Sequence, residues 1–144
     1  MDLEKLKAQL VEHEGVVLHA YQDSRGYWTI GVGRLIDKRL GGGISYDEAM
    51  YLLDNDIKKH IAEIKLIFPA FDDLPENIKL VLTDMHFNLG HSRFRSFQRM
   101  ISAVKDRDWE SMKREMLDSL WARQVGRRAT NLANMVDKVV QEEV

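Results

Sequence analysis

A helical pattern in the middle of the chain constrains the fold more than any other feature. Ser45-Tyr46-Asp47-Glu48 places a Ser three residues before a Glu, which is the capping-box pattern that begins helices. Apolar residues then recur at helical spacing up to Ile67. Phe68-Pro69 ends the pattern, because proline disfavours helix in the residue before it. The sequence therefore predicts one helix over 46–67, long enough to connect two lobes.

The residues before this helix predict a short helix followed by a small sheet. Leucines recur at helical spacing over residues 2–13, and Gly15 is a natural stop. From 16 to 36, aromatic and β-branched residues alternate with polar ones around the turn cluster Ser24-Arg25-Gly26, which predicts a hairpin. The glycines at 41–43 are expected to form a flexible connection.

The rest of the chain is predicted to be helical. Apolar residues recur at helical spacing from Ile78 to Met85 and from Phe97 to Val104, and two further helices are expected at about 108–122 and 127–141. We therefore predict an α+β fold that is mostly helical, with its only sheet near residues 17–36.

Composition narrows the class of protein. The chain has 144 residues, 44% of them hydrophobic and 31% charged, as expected of one globular domain. The absence of cysteine excludes disulfides and thiol catalysis. Charged residues within 1–10 and the lack of about 20 consecutive apolar residues predict synthesis without a signal peptide and no stable membrane association. The net charge of −2 and the dispersed basic residues argue against nucleic acid as a partner.

Glu14 is the first candidate for chemistry. It follows the helical pattern of 2–13 on the same face as Leu3, Leu6 and Leu10. We expect this carboxyl to be partly buried, and burial raises the pKa of a carboxyl, which suits a general acid. The alternative is an acid at a frayed helix end, paired with an Arg.

Asp23 and Thr29 are the next candidates, although each alone suits a turn or a strand. If Asp23 and Tyr27 flank the turn, then Asp23, Thr29 and Gly31 project from one face, with Trp28, Ile30 and Val32 directed into a small core. Cleavage of a glycosidic bond needs two acidic roles, one protonated and one ionised. Glu14 and Asp23 have the residue types and the different environments for these roles.

The patterns that would indicate a metal or a phosphate site fail on spacing. His13 and His19 are six residues apart, and His86 and His91 are five apart, so neither pair has the four-residue spacing of two ligands on one helix. The glycines at 41–43 lack the Lys and Ser or Thr of a phosphate loop. We therefore expect no metal and no cofactor. For Arg127-Arg128 the sequence does not choose between solvated surface and a guanidinium that reaches a carboxylate across a cleft.

The whole chain resembles the phage lysozymes of the T4 type, glycoside hydrolase family 24. Glu14, Asp23 and Thr29 reproduce the family spacing Glu-x8-Asp-x5-Thr, and the run from Gly26 to Gly33 resembles its GYxTIGxG strand. Residues 44–49 resemble the opening of the family's long inter-lobe helix. Residues 87–90 and 121–128 resemble its cleft segments.

The resemblance implies a lysozyme-like fold and a muramidase that cleaves the β-1,4 bond between N-acetylmuramic acid and N-acetylglucosamine in peptidoglycan. Glu14 would donate the proton, Asp23 would stabilise the transition state or activate water, and Thr29 would position that water. Arg128 matches the family Arg that pairs with the catalytic Glu. The family's cleft-lining positions correspond to Leu35, Phe87 and Gly90.

The resemblance also implies one domain, 1–144, with a small β lobe at 14–45, a connecting helix at 46–67 and a helical lobe at 68–144 on which 1–13 packs. The loop before the connecting helix is shorter than in longer family members. Arg34 stands where many relatives have His, and Asp56 matches that residue's acidic partner, so an Arg34–Asp56 ion pair is predicted.

The resulting hypothesis is a phage or prophage endolysin that acts as a monomer. It would be made in the host cytoplasm and would need a holin-like pore to reach the wall in the periplasm. Two alternatives stay open: a non-catalytic peptidoglycan-binding module, and a lytic transglycosylase, which would need the acid but not Asp23.

Overall fold

The computed structural model describes residues 1–37 and 41–143. Eight α-helices and three strands lie within these ranges, together with a 3₁₀ turn at Phe71–Asp73. In chain order the elements are α1 (Leu3–Glu14), β1 (Val17–Gln22), β2 (Trp28–Gly31), β3 (Arg34–Leu35), α2 (Tyr46–Ile67), α3 (Glu76–Leu89), α4 (His91–Arg95), α5 (Gln98–Lys105), α6 (Trp109–Leu117), α7 (Leu120–Val125) and α8 (Arg127–Glu142). The predicted α+β class, mostly helical with a small N-terminal sheet, is confirmed.

The chain forms two compact units, Met1–Leu52 and Leu53–Val144. The first contains α1, the sheet and the first two turns of α2, and the second contains the remaining helices. The division into lobes at 14–45, 46–67 and 68–144, with 1–13 on the helical lobe, stays a prediction. The short loop that precedes α2 includes residues 38–40, which lie outside the described residues.

The sheet of the first unit has the order β1-β2-β3 and is antiparallel throughout. Thr29 on the central strand pairs with Tyr21 on one side and with Leu35 on the other. The register of β1 against β2 shifts between Val17 and Tyr21, so strict alternation does not hold along β1. The hairpin predicted over 16–36 is therefore present, with a third short strand added to it.

The core predicted for this sheet, made of Trp28, Ile30 and Val32, is wrong at two of its three residues, and only Ile30 is partly buried. Trp28 is 49% exposed and Val32 is 41% exposed, whereas Thr29 is only 4% exposed. Thr29 lies on the central strand and is flanked by both neighbours, while Val32 follows the end of β2. Alternation predicts which residues share a face, but it does not predict which face is covered.

The start of α2 is held by the predicted capping box. The Ser45 amide donates to Glu48 Oε1 at 2.9 Å, and the Glu48 amide donates to Ser45 Oγ at 3.1 Å. Hydrogen bonds from Ser45 to the Glu48 carboxylate, helped by Arg34, lower the pKa of Glu48. Arg34 donates to the same Oε1 at 2.7 Å and to the Gly43 carbonyl at 3.1 Å. Arg34 thus ties β3 to the start of α2, and the pair with Asp56 stays a prediction.

The second unit contains the hydrophobic core. Its largest fully buried apolar side chains come from α2 to α6 and from α8: Ile64, Ile78, Val81, Leu82, Met85, Phe94, Met100, Val104, Met112, Met116 and Val136. Burying each of these contributes about 1.5–3 kcal/mol to folding. Stability in this unit therefore comes from apolar packing between helices.

One predicted helix of this unit is wrong. The helix expected at about 108–122 is two helices, α6 and α7, separated at Asp118-Ser119. Ser119 has extended backbone, and its Oγ accepts from the Ala122 amide at 3.1 Å, so it caps a new helix instead of continuing the old one. Within the described residues, no helix is both long and apolar enough to cross a membrane.

Candidate active site

Glu14 is the last residue of α1, and Gly15 ends that helix. Gly15 has a φ of +74°, and its amide donates to the Val11 carbonyl at 2.8 Å. The Glu14 carboxyl lies against the backbone of Gly33, which follows β2: a methyl group on Gly33 would lie 2.8 Å from Oε2 and 3.1 Å from Cδ. Because Gly33 also has a φ of +64°, glycine meets two requirements at this position.

The partial burial expected for Glu14 is wrong. Glu14 is exposed, and α1 has no buried residue. Helical spacing places the carboxyl on the leucine face of α1, but Leu10 on that face is itself 43% exposed. A carboxyl that lies on the apolar face of a helix is removed from water only where another element packs against that face.

Asp23 is anchored by the turn that it begins. Its Oδ1 accepts from the amides of Arg25 and Tyr27, each at 2.9 Å, while its own amide donates to the Tyr27 carbonyl at 2.8 Å. Among the described residues, none donates a hydrogen bond to Oδ2. One carboxylate oxygen thus holds the turn, and the other is available to a ligand.

Thr29 is joined to the same turn. Its Oγ1 donates to the Tyr27 carbonyl at 2.9 Å, so the hydroxyl proton is used and the oxygen can only accept from a ligand. Leu35 lies opposite Thr29 in the register of β2 with β3. The structure therefore brings Asp23, Thr29 and Leu35 together through one turn and one strand pair.

This arrangement supplies two acceptors and an exposed acid within the first unit. Asp23 Oδ2 and Thr29 Oγ1 can each accept one further hydrogen bond. Glu14 is held next to the same sheet through Gly33. Such a set suits hydrolysis in which an acid protonates a leaving group and a water molecule attacks.

Arg128 lies near the start of α8, in the second unit. Its Nε donates to Asp84 Oδ1 at 2.8 Å, and both side chains are about two-fifths exposed. Arg128 therefore pairs with a carboxylate, and that carboxylate belongs to α3. Its predicted role beside Glu14 stays a prediction.

Phe87 and Arg128 line one groove of the second unit, with a volume of about 620 Å³. Phe87 is 41% exposed, and the walls also include Asp84 and apolar side chains of α2. Gly90 does not line this groove. It ends α3 with a φ of +80° and begins α4. The structure thus brings two of the three predicted second-unit residues to one surface.

Sequence reasoning missed three residues of these surfaces. Gly33 was recognised as part of a motif, but its contact with Glu14 was not. Tyr27 joins Asp23 to Thr29 through backbone atoms, which no side-chain pattern reveals. Asp84 pairs with Arg128 across 44 positions of sequence, and no local signal marks that pair.

Comparisons with known proteins agree with the geometry. The phage lysozyme family model matches residues 11–138. The chain is 28% identical to the pre-baseplate central spike protein Gp5 of Enterobacteria phage T4, over 85% of this chain but only 26% of that protein. It is 22% and 25% identical to probable T4-type lysozymes 1 and 2 of Dictyostelium discoideum, over 92% of this chain and 93% of each relative. The chain therefore belongs to the phage lysozyme family, whose members are lysozyme-type glycoside hydrolases.

Proposed function

We propose that this protein hydrolyses the β-1,4 bond between N-acetylmuramic acid and N-acetylglucosamine in peptidoglycan. The observation that carries the proposal is the first unit itself. Asp23 and Thr29 are hydrogen-bonded to one turn, and Asp23 Oδ2 and Thr29 Oγ1 can still accept hydrogen bonds. Glu14 lies against Gly33 beside the same sheet. Family membership and the names of the T4-type relatives support the choice of substrate.

Glu14 is the proton donor in this mechanism. Its carboxyl gives a proton to the oxygen that leaves when the glycosidic bond breaks, so it has to be neutral when the polysaccharide binds. Because Glu14 is exposed, we propose that the bound polysaccharide covers it. Exclusion of water by the ligand favours the neutral acid and strengthens each electrostatic contact in the site.

Asp23 and Thr29 act on the other side of the reaction. The ionised Asp23 stabilises the positive charge that develops on the sugar ring, or accepts a proton from the attacking water through Oδ2. Thr29 Oγ1 accepts the second proton of that water as a hydrogen bond. Since Oδ1 of Asp23 is already held by two amides, the carboxylate does not need to reorganise during the reaction.

The remaining predicted residues contact the polysaccharide. Leu35 lies opposite Thr29 in the sheet and offers an apolar surface to a sugar ring. Phe87 offers an aromatic face in the groove of the second unit, and Gly90 lies at the end of the same helix. Arg128, which pairs with Asp84, is set apart from these contacts and keeps its predicted supporting role beside the proton donor Glu14.

The test compares wild type, Glu14→Gln and the matched control Glu12→Gln for release of reducing ends from purified peptidoglycan. Glu12 lies on α1 and is also exposed, so its loss changes charge without removing the donor. We expect Glu14→Gln to lower the rate by about 10²–10⁴-fold, the usual contribution of a general acid, and Glu12→Gln to keep it. Full activity of Glu14→Gln would overturn the assignment.

The same assay separates the two alternatives. A non-catalytic binding module would bind peptidoglycan but would release no reducing ends from it. A lytic transglycosylase would release 1,6-anhydro sugars and would tolerate Asp23→Ala. The hydrolase predicts reducing sugars and a strong loss of rate in Asp23→Ala.

We further propose that the protein is a phage or prophage endolysin that acts as a monomer and depends on a holin-like pore. The purified protein is expected to clear permeabilised Gram-negative cells and to leave intact cells turbid. Equal clearing of intact cells would contradict dependence on a pore. Elution of the active protein at the volume of a dimer would contradict the monomer.

A further inference from the structure

Four polar side chains of the second unit form a cluster that the proposed reaction does not use. His60 and Glu63 come from α2, His86 from α3 and His91 from α4. His60 Nδ1 lies 2.7 Å from His86 Nδ1, and His86 Nε2 lies 3.0 Å from His91 Nδ1. Glu63 Oε2 lies 3.5 Å from His91 Nδ1. We refer to these four residues as the histidine cluster.

The helix boundaries create this cluster. His60 and Glu63 are three residues apart, so they share one face of α2. His86 lies in the last turn of α3, which Gly90 ends with a φ of +80°. His91 begins the next helix, so its ring reaches His86 although the two residues are five positions apart. His86 and His91 lack the spacing of two ligands on one helix, but the structure places them on two helices.

The donor atoms of the cluster suit a transition metal. One ligand atom each from His60, Glu63 and His86 lie within 4.8 Å of one another. Two imidazoles and one carboxylate are a ligand set that binds Zn²⁺ and neighbouring divalent ions. Nitrogens bound to one tetrahedral zinc are about 3.3 Å apart, so the 2.7 Å contact of His60 with His86 has to open by only about half an ångström.

His86 has the correct form for a ligand. Its side chain is fully buried, and its two ring nitrogens lie within hydrogen-bond distance of His60 and His91. A neutral imidazole carries one ring proton and can donate to only one of its two neighbours. With that proton on Nε2, His86 donates to His91 and presents the lone pair of Nδ1 toward His60.

His91 then acts as the outer partner of a ligand. Metal-binding histidines usually donate their second ring N–H to an acceptor, which sets the tautomer and orients the ring. Without metal, His60 Nδ1–H fills the short contact with His86 Nδ1. With metal, the ion takes the place of that hydrogen, and His60 carries its proton on Nε2. Glu63, whose side chain is 44% exposed, gives the ion access from solvent.

We propose that His60, Glu63 and His86 bind a divalent transition-metal ion of the zinc type, with His91 as the outer partner. The ion joins α2 to α3 and stabilises the second unit. The acids of the proposed hydrolysis belong to the first unit and are not ligands of this site, although the His60 ring packs against Phe87 of the groove.

The test measures zinc binding to the full chain after dialysis against a chelator. Isothermal titration with Zn²⁺ is expected to give one ion per wild-type chain. His60→Gln and Glu63→Gln are each expected to weaken binding at least about tenfold, because loss of a ligand costs at least as much as loss of an outer partner. His91→Gln is expected to weaken it less than His60→Gln.

The matched control replaces the histidines outside the cluster. His13 and His19 are both exposed, so the double variant His13→Gln/His19→Gln loses two imidazoles and is expected to keep wild-type affinity. Loss of zinc binding in this control would overturn the proposal, as would unchanged affinity in His60→Gln and Glu63→Gln or no binding by wild type.

Thermal unfolding provides a second readout that does not depend on activity. An ion that binds only the folded chain raises its Tm. Zinc is therefore expected to raise the Tm of wild type and of the double control, and to raise that of Glu63→Gln less at the same zinc concentration. Glu63 is half-exposed, so its replacement is expected to preserve the fold. An equal rise in all three proteins would overturn the assigned ligands.

Discussion

The two units of this chain differ in how many of their side chains are buried. In the first unit, Thr29 is the one buried residue among those that the structure describes. In the second unit, apolar side chains from seven helices form a connected core. Helix caps, strand pairing and turn hydrogen bonds stabilise the first unit, and burial of apolar side chains stabilises the second. The residues proposed to act on the glycosidic bond lie in the unit with little packing.

This contrast indicates that the second unit provides most of the stability and the first unit the proposed catalytic residues. A side chain that has to meet a polysaccharide cannot also be buried in a core, so Glu14 and Asp23 are oriented by backbone contacts. Such contacts orient a side chain without burying much of its surface. They depend on individual residues such as Gly33 and Tyr27. Substitutions in the first unit should therefore affect activity more than stability, and substitutions in the second unit should do the reverse.

The largest effect on stability is expected from Phe94→Ala. Phe94 is fully buried in the core of the second unit. Its removal leaves a cavity and should lower the free energy of unfolding by about 3–5 kcal/mol. Denaturant unfolding measures the change, and Trp28→Ala, at a half-exposed position of the first unit, is the control. A loss below about 1 kcal/mol would break the contrast.

A large effect on activity is expected from Gly33→Ala. The methyl group would lie 2.8 Å from Glu14 Oε2 at a φ of +64°, so Glu14 has to move. We expect at least about a tenfold loss of peptidoglycan hydrolysis, since small displacements of a catalytic group are costly.

Gly26→Ala is the control for Gly33→Ala. Gly26 has a φ of +82°, and a methyl group there meets nothing within 4 Å. Both variants should lose about 1–2 kcal/mol of stability to backbone strain. Both variants should therefore lose similar stability, but only Gly33→Ala should also lose peptidoglycan hydrolysis. Equal activity of the two variants would show that the contact with Glu14 is unimportant.

Thr29→Val tests whether the buried hydroxyl of the first unit serves activity or stability. The change keeps the shape of the side chain and removes the hydrogen bond to the Tyr27 carbonyl. We expect a stability loss of about 1 kcal/mol and a clear fall in kcat. Thr29→Ser keeps the hydroxyl and should retain most of the rate. Equal rates for the two variants would exclude a role for the hydroxyl.

The smallest effect is expected at Asp108, the N-cap of α6. Its side chain accepts from Ser111, and these hydrogen bonds lower the pKa of Asp108. The unfolded chain therefore binds a proton more readily, so the ionised cap stabilises the fold above the ordinary pKa of 3.8 and loses this effect as the pH falls through the lowered value. Wild type should be slightly more stable than Asp108→Asn at neutral pH and equal to it in strong acid. A difference that does not change with pH would contradict this account.

Local signals predicted the fold where a few neighbouring residues decide the structure. The capping box and Pro69 gave α2 the bounds 46–67, because a cap and a proline act within one turn. The break between α6 and α7 escaped prediction. The apolar pattern continues across Ser119, and only the fold shows that its side chain begins a new helix.

The sequence indicates candidate site residues, whose roles stay a prediction, but it does not indicate their environment. The spacing of Glu14, Asp23 and Thr29 marks the motif, and the turn chemistry of Asp23 follows from its residue type. The exposure of Glu14 does not follow, because it depends on what covers the leucine face of α1. Nor does the contact of Arg34 with Glu48 follow, because several acids of the chain have the right charge.

The sequence by itself determined the bounds of α2, the turn at Asp23 and the family motif, because these depend on interactions within a few residues. Only the tertiary structure placed Gly33 against Glu14 and joined Asp84 to Arg128. It also assembled three histidines from three helices, two of them on either side of the break at Gly90. Contacts between distant segments depend on how elements end and pack, and a linear pattern does not carry that information.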